Sequence, residues 1–189
     1  MAKELRAGLF SFPAYETKYG QLIKRHLTGG WKCQAEDPVD ADNLNALTLQ
    51  ALMLANKIEK DDEVLFYATR GDVVLDRHWP SAWVYGKSDG LDPEWLKSQH
   101  TLLVQSDLYI LLDIDPTVSV ERRPDRRDRY EMDDKMGMRA EFYRQLWASM
   151  DGDQDSDGST WVSVDARGSK DQTFEQIMRH VRESRSGTH

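Results

Sequence analysis

Short apolar runs alternate along the chain with longer segments whose apolar residues recur at helical spacing. Four of these runs predict β-strands: Leu9–Phe12, Val73–Leu75, Leu108–Leu112 and Thr160–Val164. Strands that alternate with helices usually pair in parallel, because each right-handed crossover returns the chain to the same edge of the sheet. The pattern therefore predicts an α/β fold with a parallel sheet.

The first half of the chain predicts two helices. Thr17 can cap the first, and Gly29 can end it. The polar stretch from Trp31 to Asp42 contains Pro38, and we expect a loop there before a long second helix. The apolar positions of the two helices are Tyr19, Leu22, Ile23 and Leu27, then Leu44, Leu47, Ala51, Leu54, Ala55 and Ile58.

Further helices are expected at Trp79–Tyr85, at Asp92–Leu96 and after Tyr130. Ser169 and Gln172 have the spacing of a capping box, which predicts the start of a last helix. The apolar face of the helix after Tyr130 is formed by Met132, Met136, Ala140, Tyr143, Trp147 and Met150, and that of the last helix by Phe174, Ile177, Met178 and Val181.

Length and composition narrow the class of protein. A chain of 189 residues fits one domain, so residues 1–189 are interpreted as a single domain. The net charge of −8 argues against a nucleic-acid partner, and the mean hydropathy of −0.70 without a long apolar run argues against a membrane span. Cys33 is the only cysteine, which excludes an intrachain disulfide and fits a reducing cytoplasm.

Metal-binding patterns are weak. The five histidines are scattered and predict no zinc site. The stretch Asp151–Ser159, DGDQDSDGS, resembles a calcium-binding loop but lacks the final acid that chelates calcium with both oxygens. Its low complexity predicts a flexible acidic surface loop over about 151–159.

The segment from Tyr109 to Glu131 is the most informative part of the sequence. A buried strand is followed by Asp113 and Asp115, and then by five arginines between Arg122 and Arg129. Ligands of α/β proteins gather beyond the carboxyl ends of such strands, where paired guanidinium N–H groups can hold phosphate oxygens. The alternative is a solvated helix whose arginines pair with neighbouring acids, but the strand upstream favours phosphate binding.

Other predicted strands also end in residues suited to ligand binding. Phe12, Pro13 and Tyr15 follow the first strand, and Asp76 and Arg77 follow the second. Because the carboxyl ends of parallel strands share one edge of a sheet, we expect these residues to form one binding site for a polyphosphate along that edge.

Five segments together resemble the thymidylate kinase family in their order and near its spacing. They are FPAYET (Phe12–Thr17), YGQLIKRHL (Tyr19–Leu27), LQALMLANKIE (Leu49–Glu59), VVLDRHWPSAWVYG (Val73–Gly86) and LLDIDPTVSVERRPDRRDRYE (Leu111–Glu131). The resemblance runs from about Leu9 to the last helix, and the DRH-x-x-S and ERR-to-RYE segments are specific in combination.

The resemblance implies a three-layer P-loop NTPase fold, in which helices flank a parallel sheet. It further implies transfer of the γ-phosphoryl group of ATP to deoxythymidine monophosphate (dTMP), with Mg²⁺ bridging the donor oxygens, in a cytoplasmic homodimer. In such an enzyme catalysis is positioning plus neutralisation of charge, without a protein nucleophile.

Site residues are also implied by the resemblance. Arg77 would hold the acceptor phosphate, and Asp76 would order the metal through its waters. An arginine-rich lid over about 121–131 would contact phosphoryl oxygens through Arg122, Arg126 and Arg127. The substrate-binding positions would be Tyr15 near the phosphate, Tyr85 under the sugar and Ser81 of the DRH-x-x-S segment, together with Met53 and Lys57. The family commonly has an aromatic ring stacked on the base at the position of Met53, and an arginine at that of Lys57.

The P-loop motif G-x-x-x-x-G-K-[ST] is missing from this sequence. Gly86-Lys87-Ser88 supplies only its last letters, with Ser81 in place of the first glycine. The sequence starts at what resembles the helix after that loop, so the family's first strand is missing as well. Two interpretations follow: Met1 is an internal methionine of a longer kinase, which is favoured, or the protein is a noncatalytic nucleotide-binding remnant of the fold. A nucleic-acid-binding module is a third alternative that the acidic balance disfavours.

Overall fold

The computed structural model describes residues 7–122, 135–150 and 158–186. The chain divides into two compact units, residues 1–104 and 105–189. All four strands pair in parallel, which confirms the α/β class, and they form two two-stranded sheets, β1–β2 and β3–β4. The single domain and the three-layer arrangement stay predictions.

The first unit contains one sheet and four helices among its described residues. Its elements are β1 (Gly8–Ser11), α1 (Lys18–Leu27), α2 (Pro38–Ala68), β2 (Val73–Asp76), α3 (Trp79–Ser88), α4 (Pro93–Gln99) and a 3₁₀ turn (His100–Leu102). Its core lies between β1, β2 and α2, where buried Phe10, Phe12, Ala14 and Val64 pack with Val73, Leu75 and Val104.

The predicted helix ends are largely confirmed. Thr17 caps α1 by accepting a hydrogen bond from the Gly20 amide, and Gly29 follows the helix at φ 77°, a conformation that glycine adopts without a Cβ penalty. The predicted loop from Trp31 to Asp42 is wrong in its second half, because α2 already begins at Pro38. Proline fits the first helical position, where its missing N–H costs no hydrogen bond, and the Asp37 side chain caps the Val39 amide.

The second unit is built in the same way around the other sheet. Its described elements are β3 (Leu108–Asp113), α5 (Pro116–Arg122), α6 (Met136–Met150), β4 (Thr160–Asp165) and α7 (Lys170–Ser186). The Tyr109 and Trp161 rings stack across the two strands at 4.1 Å, and Trp147 of α6 meets Trp161 edge-on at 4.7 Å. These rings form the core of the unit.

The capping box predicted for the last helix is confirmed. Ser169 donates its backbone amide to Gln172 Oε1 at 2.8 Å, and its hydroxyl accepts from the Gln172 amide at 3.2 Å. Met132 and most of the predicted acidic loop, residues 151–157, lie outside the described residues. In the described part of the chain, no helix combines the length and the apolar character needed to cross a membrane.

Candidate functional site

The carboxyl ends of β1 and β2 lie side by side. Ser11 faces Asp76 in the parallel register, and the Phe12 amide donates to the Asp76 carbonyl at 2.9 Å. The pairing brings together two segments that were singled out from the sequence, the turn at Phe12–Tyr15 and the Asp76-Arg77 pair. Within the first unit they share one edge of the sheet, the place where α/β proteins bind ligands.

Arg77 adopts a backbone conformation that is rare for a residue with a side chain. Its φ is 60°, in the left-handed region, and it is the one non-glycine residue with positive φ in the described part of the chain. Such a conformation costs on the order of 1 kcal/mol or more and is concentrated at functional sites. Arg77 and the neighbouring Asp76 side chain are both exposed at this edge.

A buried amide of α2 holds the turn that follows β1. Asn56, which is fully buried, accepts from the Ala14 amide at 2.8 Å. Its amide group donates to the Ala14 carbonyl at 3.3 Å and to Thr17 Oγ1 at 2.7 Å. Asn56 was not singled out from the sequence, since an asparagine inside a helix carries no pattern that identifies its partner.

Lys57 is a buried cation without an acidic partner among the described residues. It is 2% exposed, its Nζ donates to the Met53 carbonyl at 3.2 Å, and the ammonium lies 5.8 Å from the centre of the Phe12 ring. Burial lowers the pKa of Lys57 to about 8, because the charged form loses its hydration. The structure thus places Lys57 and the Met53 backbone beside the turn after β1.

Two buried histidines lie within electrostatic range of Lys57. Burial, and secondarily the Lys57 charge, lower the pKa of His78 to about 3; the same causes, with His78, lower the pKa of His100 to about 3. The His78 ring lies 5.9 Å from that of Phe12, and its Nδ1 has no hydrogen-bond partner among the described residues. At neutral pH both rings are neutral, so Lys57 carries the charge of this cluster.

Helix α3 presents two further predicted residues. Ser81 and Tyr85, four positions apart and both half-buried, share one side of the helix, and α3 packs against α2. Gly86-Lys87-Ser88 forms the last turn of α3. A P-loop would instead connect a strand to a helix, so this segment is not a P-loop, in agreement with the sequence analysis. A Cβ at Gly86 would lie 2.6 Å from a Leu96 methyl carbon, so this glycine serves the packing of α3 on α4.

In the second unit, Arg122 is bound to the protein's own backbone. Its guanidinium donates to the carbonyls of Ala166, Arg167 and Gly168 at 2.7, 2.7 and 3.0 Å. These carbonyls belong to the loop between β4 and α7. Its predicted contact with a phosphoryl group stays a prediction, while the predicted Arg126 and Arg127 contacts lie outside the described residues.

The acidic residues at the ends of β3 and β4 also have partners. Asp113 accepts from Arg144 at 2.9 Å, and Asp165 pairs with Arg167 at 2.7 Å. Asp115 caps α5 through the Thr117 amide and hydroxyl, and these hydrogen bonds lower the pKa of its carboxyl group. Sequence position alone could not separate these structural carboxylates from ligand-binding ones.

The described residues are compatible with an Mg²⁺ ion that is held mainly by the phosphates of a bound nucleotide. No group of three or more His, Cys, Asp or Glu side chains in the described ranges could hold a metal ion. Magnesium in phosphoryl-transfer sites usually has one or two protein carboxylates and completes its shell with phosphate oxygens and water. The single exposed carboxylate of Asp76 fits that donor set.

Comparison with known proteins identifies the family. The family model for thymidylate kinase matches residues 1–177. The chain is 30% identical over 176 residues to a thymidylate kinase of Arabidopsis thaliana, covering 92% of this chain and 58% of that protein. It is 26% identical over 174 residues to one of Caenorhabditis elegans, covering 92% of this chain and 71% of the relative.

The fold is shared with solved structures. The thymidylate kinase of Candida albicans superposes with a TM-score of 0.71 at 19% identity, over 97% of this chain and 83% of that one. This similarity confirms the predicted P-loop NTPase fold type. The chain spans about 58% of the length of the Arabidopsis relative and of a probable thymidylate kinase from Staphylothermus marinus. With a family match over most of its length, this chain belongs to the thymidylate kinase family.

Proposed function

We propose that this protein transfers the γ-phosphoryl group of ATP to dTMP, and that its first unit carries the acceptor side. The observation that carries the proposal is the pairing of β1 with β2, which sets the Phe12–Tyr15 turn beside the left-handed Arg77. A guanidinium presented by strained backbone at the carboxyl edge of a parallel sheet is suited to hold a phosphate in a fixed orientation. The family membership supports the same reaction.

Within this proposal each residue of the first unit has a role. Arg77 binds the acceptor phosphate and Tyr15 lies beside it. The buried Lys57 ammonium and Met53 contact the base, and Tyr85 and Ser81 of α3 lie along the sugar and base. The uncompensated charge of Lys57 supports this assignment, because a buried ammonium with one carbonyl partner retains donors for an acceptor group on a ligand.

The arginines of the predicted lid, over about 121–131, would act on the transferring phosphoryl group. Arg122, Arg126 and Arg127 are the arginines proposed to contact its oxygens and neutralise developing charge. Asp76 would hold Mg²⁺ through water, and the ion, when bound, neutralises charge on the donor phosphates. Positioning by these side chains supplies the rate, since phosphoryl transfer needs no protein nucleophile.

We also propose a homodimer that is formed along α2. Apolar residues on this helix, most of them exposed, follow the alternating three- and four-residue spacing of a coiled-coil seam at Leu44, Leu47, Ala51, Leu54 and Ile58. Leu65 lies seven residues further on, with Asp61 at the position between. The stripe extends over about 30 Å of helix. A second copy of the same face would cover it, with the small Ala51 allowing close approach. In analytical ultracentrifugation the wild-type protein should sediment as a dimer, and the Leu47→Glu variant as a monomer.

The enzymatic proposal is tested by a coupled assay of ADP release. The protein is expected to phosphorylate dTMP with ATP and Mg²⁺. Arg77→Met should abolish turnover while leaving the folded state intact by circular dichroism. If dTMP binds to the chain but no pyrimidine monophosphate is phosphorylated, a noncatalytic nucleotide-binding function replaces the enzyme.

The cytoplasm is the proposed compartment, which the single free cysteine supports.

A further inference from the structure

One buried side chain of α2 fixes the turn that carries Tyr15. Asn56 has one acceptor and two donor hydrogens, and all three are used on this turn, at Ala14 and at Thr17. The side chain is 0% exposed, so water cannot replace these hydrogen bonds. The amide therefore acts as a template for the backbone of residues 14–17.

The turn has little freedom to take another shape. Thr17 donates its hydroxyl to the Ala14 carbonyl at 3.0 Å and accepts from the Gly20 amide at 3.1 Å, so it links the turn to the start of α1. The backbone of Gly20 lies so close to Ala14 that a Cβ there would be 1.9 Å from the Ala14 carbonyl oxygen. Asn56 and Thr17 thus hold one hydrogen-bond network in a tightly packed place.

We propose that Asn56 is a positioning residue of the acceptor site, acting through the Ala14–Thr17 turn to hold Tyr15 against the bound monophosphate. The inference rests on the proposed function, because it needs the acceptor nucleotide to lie at this edge of the sheet. Asn56 is buried and does not touch the nucleotide. Its effect on binding comes from the geometry of the turn and the entropy of ordering it.

Asn45 offers a matched control on the same helix. It is also buried, accepts from the Cys33 amide at 2.8 Å, and donates to the Cys33 and Ala41 carbonyls at 3.2 and 2.6 Å. It therefore also makes three hydrogen bonds, two to a different loop at Cys33 and one to Ala41 within α2. Eleven residues, or about 16 Å of helix, separate it from Asn56.

The experiment measures dTMP binding by titration calorimetry for the wild-type chain and for Asn56→Leu, Asn45→Leu, Thr17→Val and Thr17→Ser. We expect Asn56→Leu and Thr17→Val to weaken dTMP binding by between about 10-fold and 100-fold, as for a displaced binding group. Thr17→Ser keeps the hydroxyl and should bind within about twofold of wild type. Asn45→Leu should lose as much thermal stability as Asn56→Leu, while its dTMP affinity stays unchanged.

A kinetic measurement on the protein separates positioning from general damage to the fold. Asn56→Leu and Thr17→Val should raise KM for dTMP and leave KM for ATP unchanged. If Asn56→Leu does not fold, Thr17→Val and Thr17→Ser still decide the question, because Thr17 is only half-buried.

Two results would overturn the inference while the proposed function stands: wild-type dTMP affinity in both Asn56→Leu and Thr17→Val, or equal losses in Asn45→Leu and Asn56→Leu. A wild-type chain that does not bind dTMP at all overturns the proposed function, and the inference with it. Weakened binding confined to the Asn56 and Thr17→Val variants supports both.

Discussion

Replacing Lys57 by methionine should make the protein more stable. Methionine has a similar length and no charge, and the Met53 carbonyl that Lys57 contacts is already the acceptor of a helical backbone bond. The buried ammonium has no acidic partner among the described residues, so its removal leaves no unpaired carboxylate behind. In the free energy of unfolding, the variant therefore removes mainly a desolvation cost.

The magnitude follows from the pKa of Lys57, which burial lowers from 10.5 to about 8. That difference corresponds to about 3 kcal/mol at about 1.4 kcal/mol per pKa unit. The unfolded state keeps its proton up to pH 10.5, whereas the folded state releases it near pH 8. Between these values the unfolded state binds more protons, so the free energy of unfolding contributed by Lys57 rises with pH. Below pH 8 the full cost is present.

The assay is urea unfolding of wild type and Lys57→Met at intervals from pH 7 to pH 10.5. The variant should be more stable by about 2–3 kcal/mol at pH 7, and this difference should shrink as the pH passes 8. Lys60→Met is the control on the same helix. Lys60 pairs with Glu16 and Glu63, which raise its pKa, so its loss should not stabilise the fold. A Lys57→Met variant that is less stable at pH 7, or a difference that does not change with pH, would refute the reasoning.

Three further predictions concern other features of the fold. Acid should destabilise the protein between pH 6.5 and about 3, because in this range His78 is neutral in the folded state and takes up a proton in the unfolded state. In a plot of unfolding free energy against pH, His78→Phe should flatten this part of the curve. Gly20→Ala should lower the free energy of unfolding in urea by more than about 2 kcal/mol, because its Cβ would overlap the backbone at Ala14. Gly71→Ala, with open space around it, should change this free energy by less than about 1 kcal/mol, and equal effects of the two variants would contradict the packing. Arg122→Met should speed hydrogen exchange of the β4–α7 loop, since three carbonyls lose their donor, and unchanged exchange would disprove that anchoring.

The strands and helix caps were predictable because their signals are local. Val73–Leu75 and Leu108–Leu112 are continuous apolar runs, and Thr17 and Ser169 occupy cap positions that only short polar side chains fill well. The sequence does not predict the start of α2, because proline is typical of loops and is also favoured in the first turn of a helix, where Pro38 lies. Local chemistry allowed both interpretations, and the Asp37 cap decides between them.

The candidate site was only partly predictable, because burial and partner choice depend on tertiary structure. Arg77 and Tyr15 could be placed at strand ends from the sequence, but the left-handed conformation of Arg77 could not. The role of Lys57 was predicted from the family resemblance, whereas its burial without an acidic partner among the described residues depends on how the elements around it pack. Asn56 carries no sequence signal, since its three partners lie 39 to 42 residues away.

The hydrogen bonds of Arg122 separate two properties that an arginine usually offers together. Three of its five N–H donors bind carbonyl oxygens, and because carbonyls carry no net charge the guanidinium keeps its positive charge. A polyanion approaching Arg122 would therefore be attracted at long range by its full charge, while two N–H groups that the described residues do not use remain to contact it. Such an attraction accelerates encounter and weakens as salt is added, whereas a direct contact governs how long the complex lasts. The number of arginines in the sequence thus indicates the positive charge that a polyanion meets, but not the number of N–H donors left to bind it.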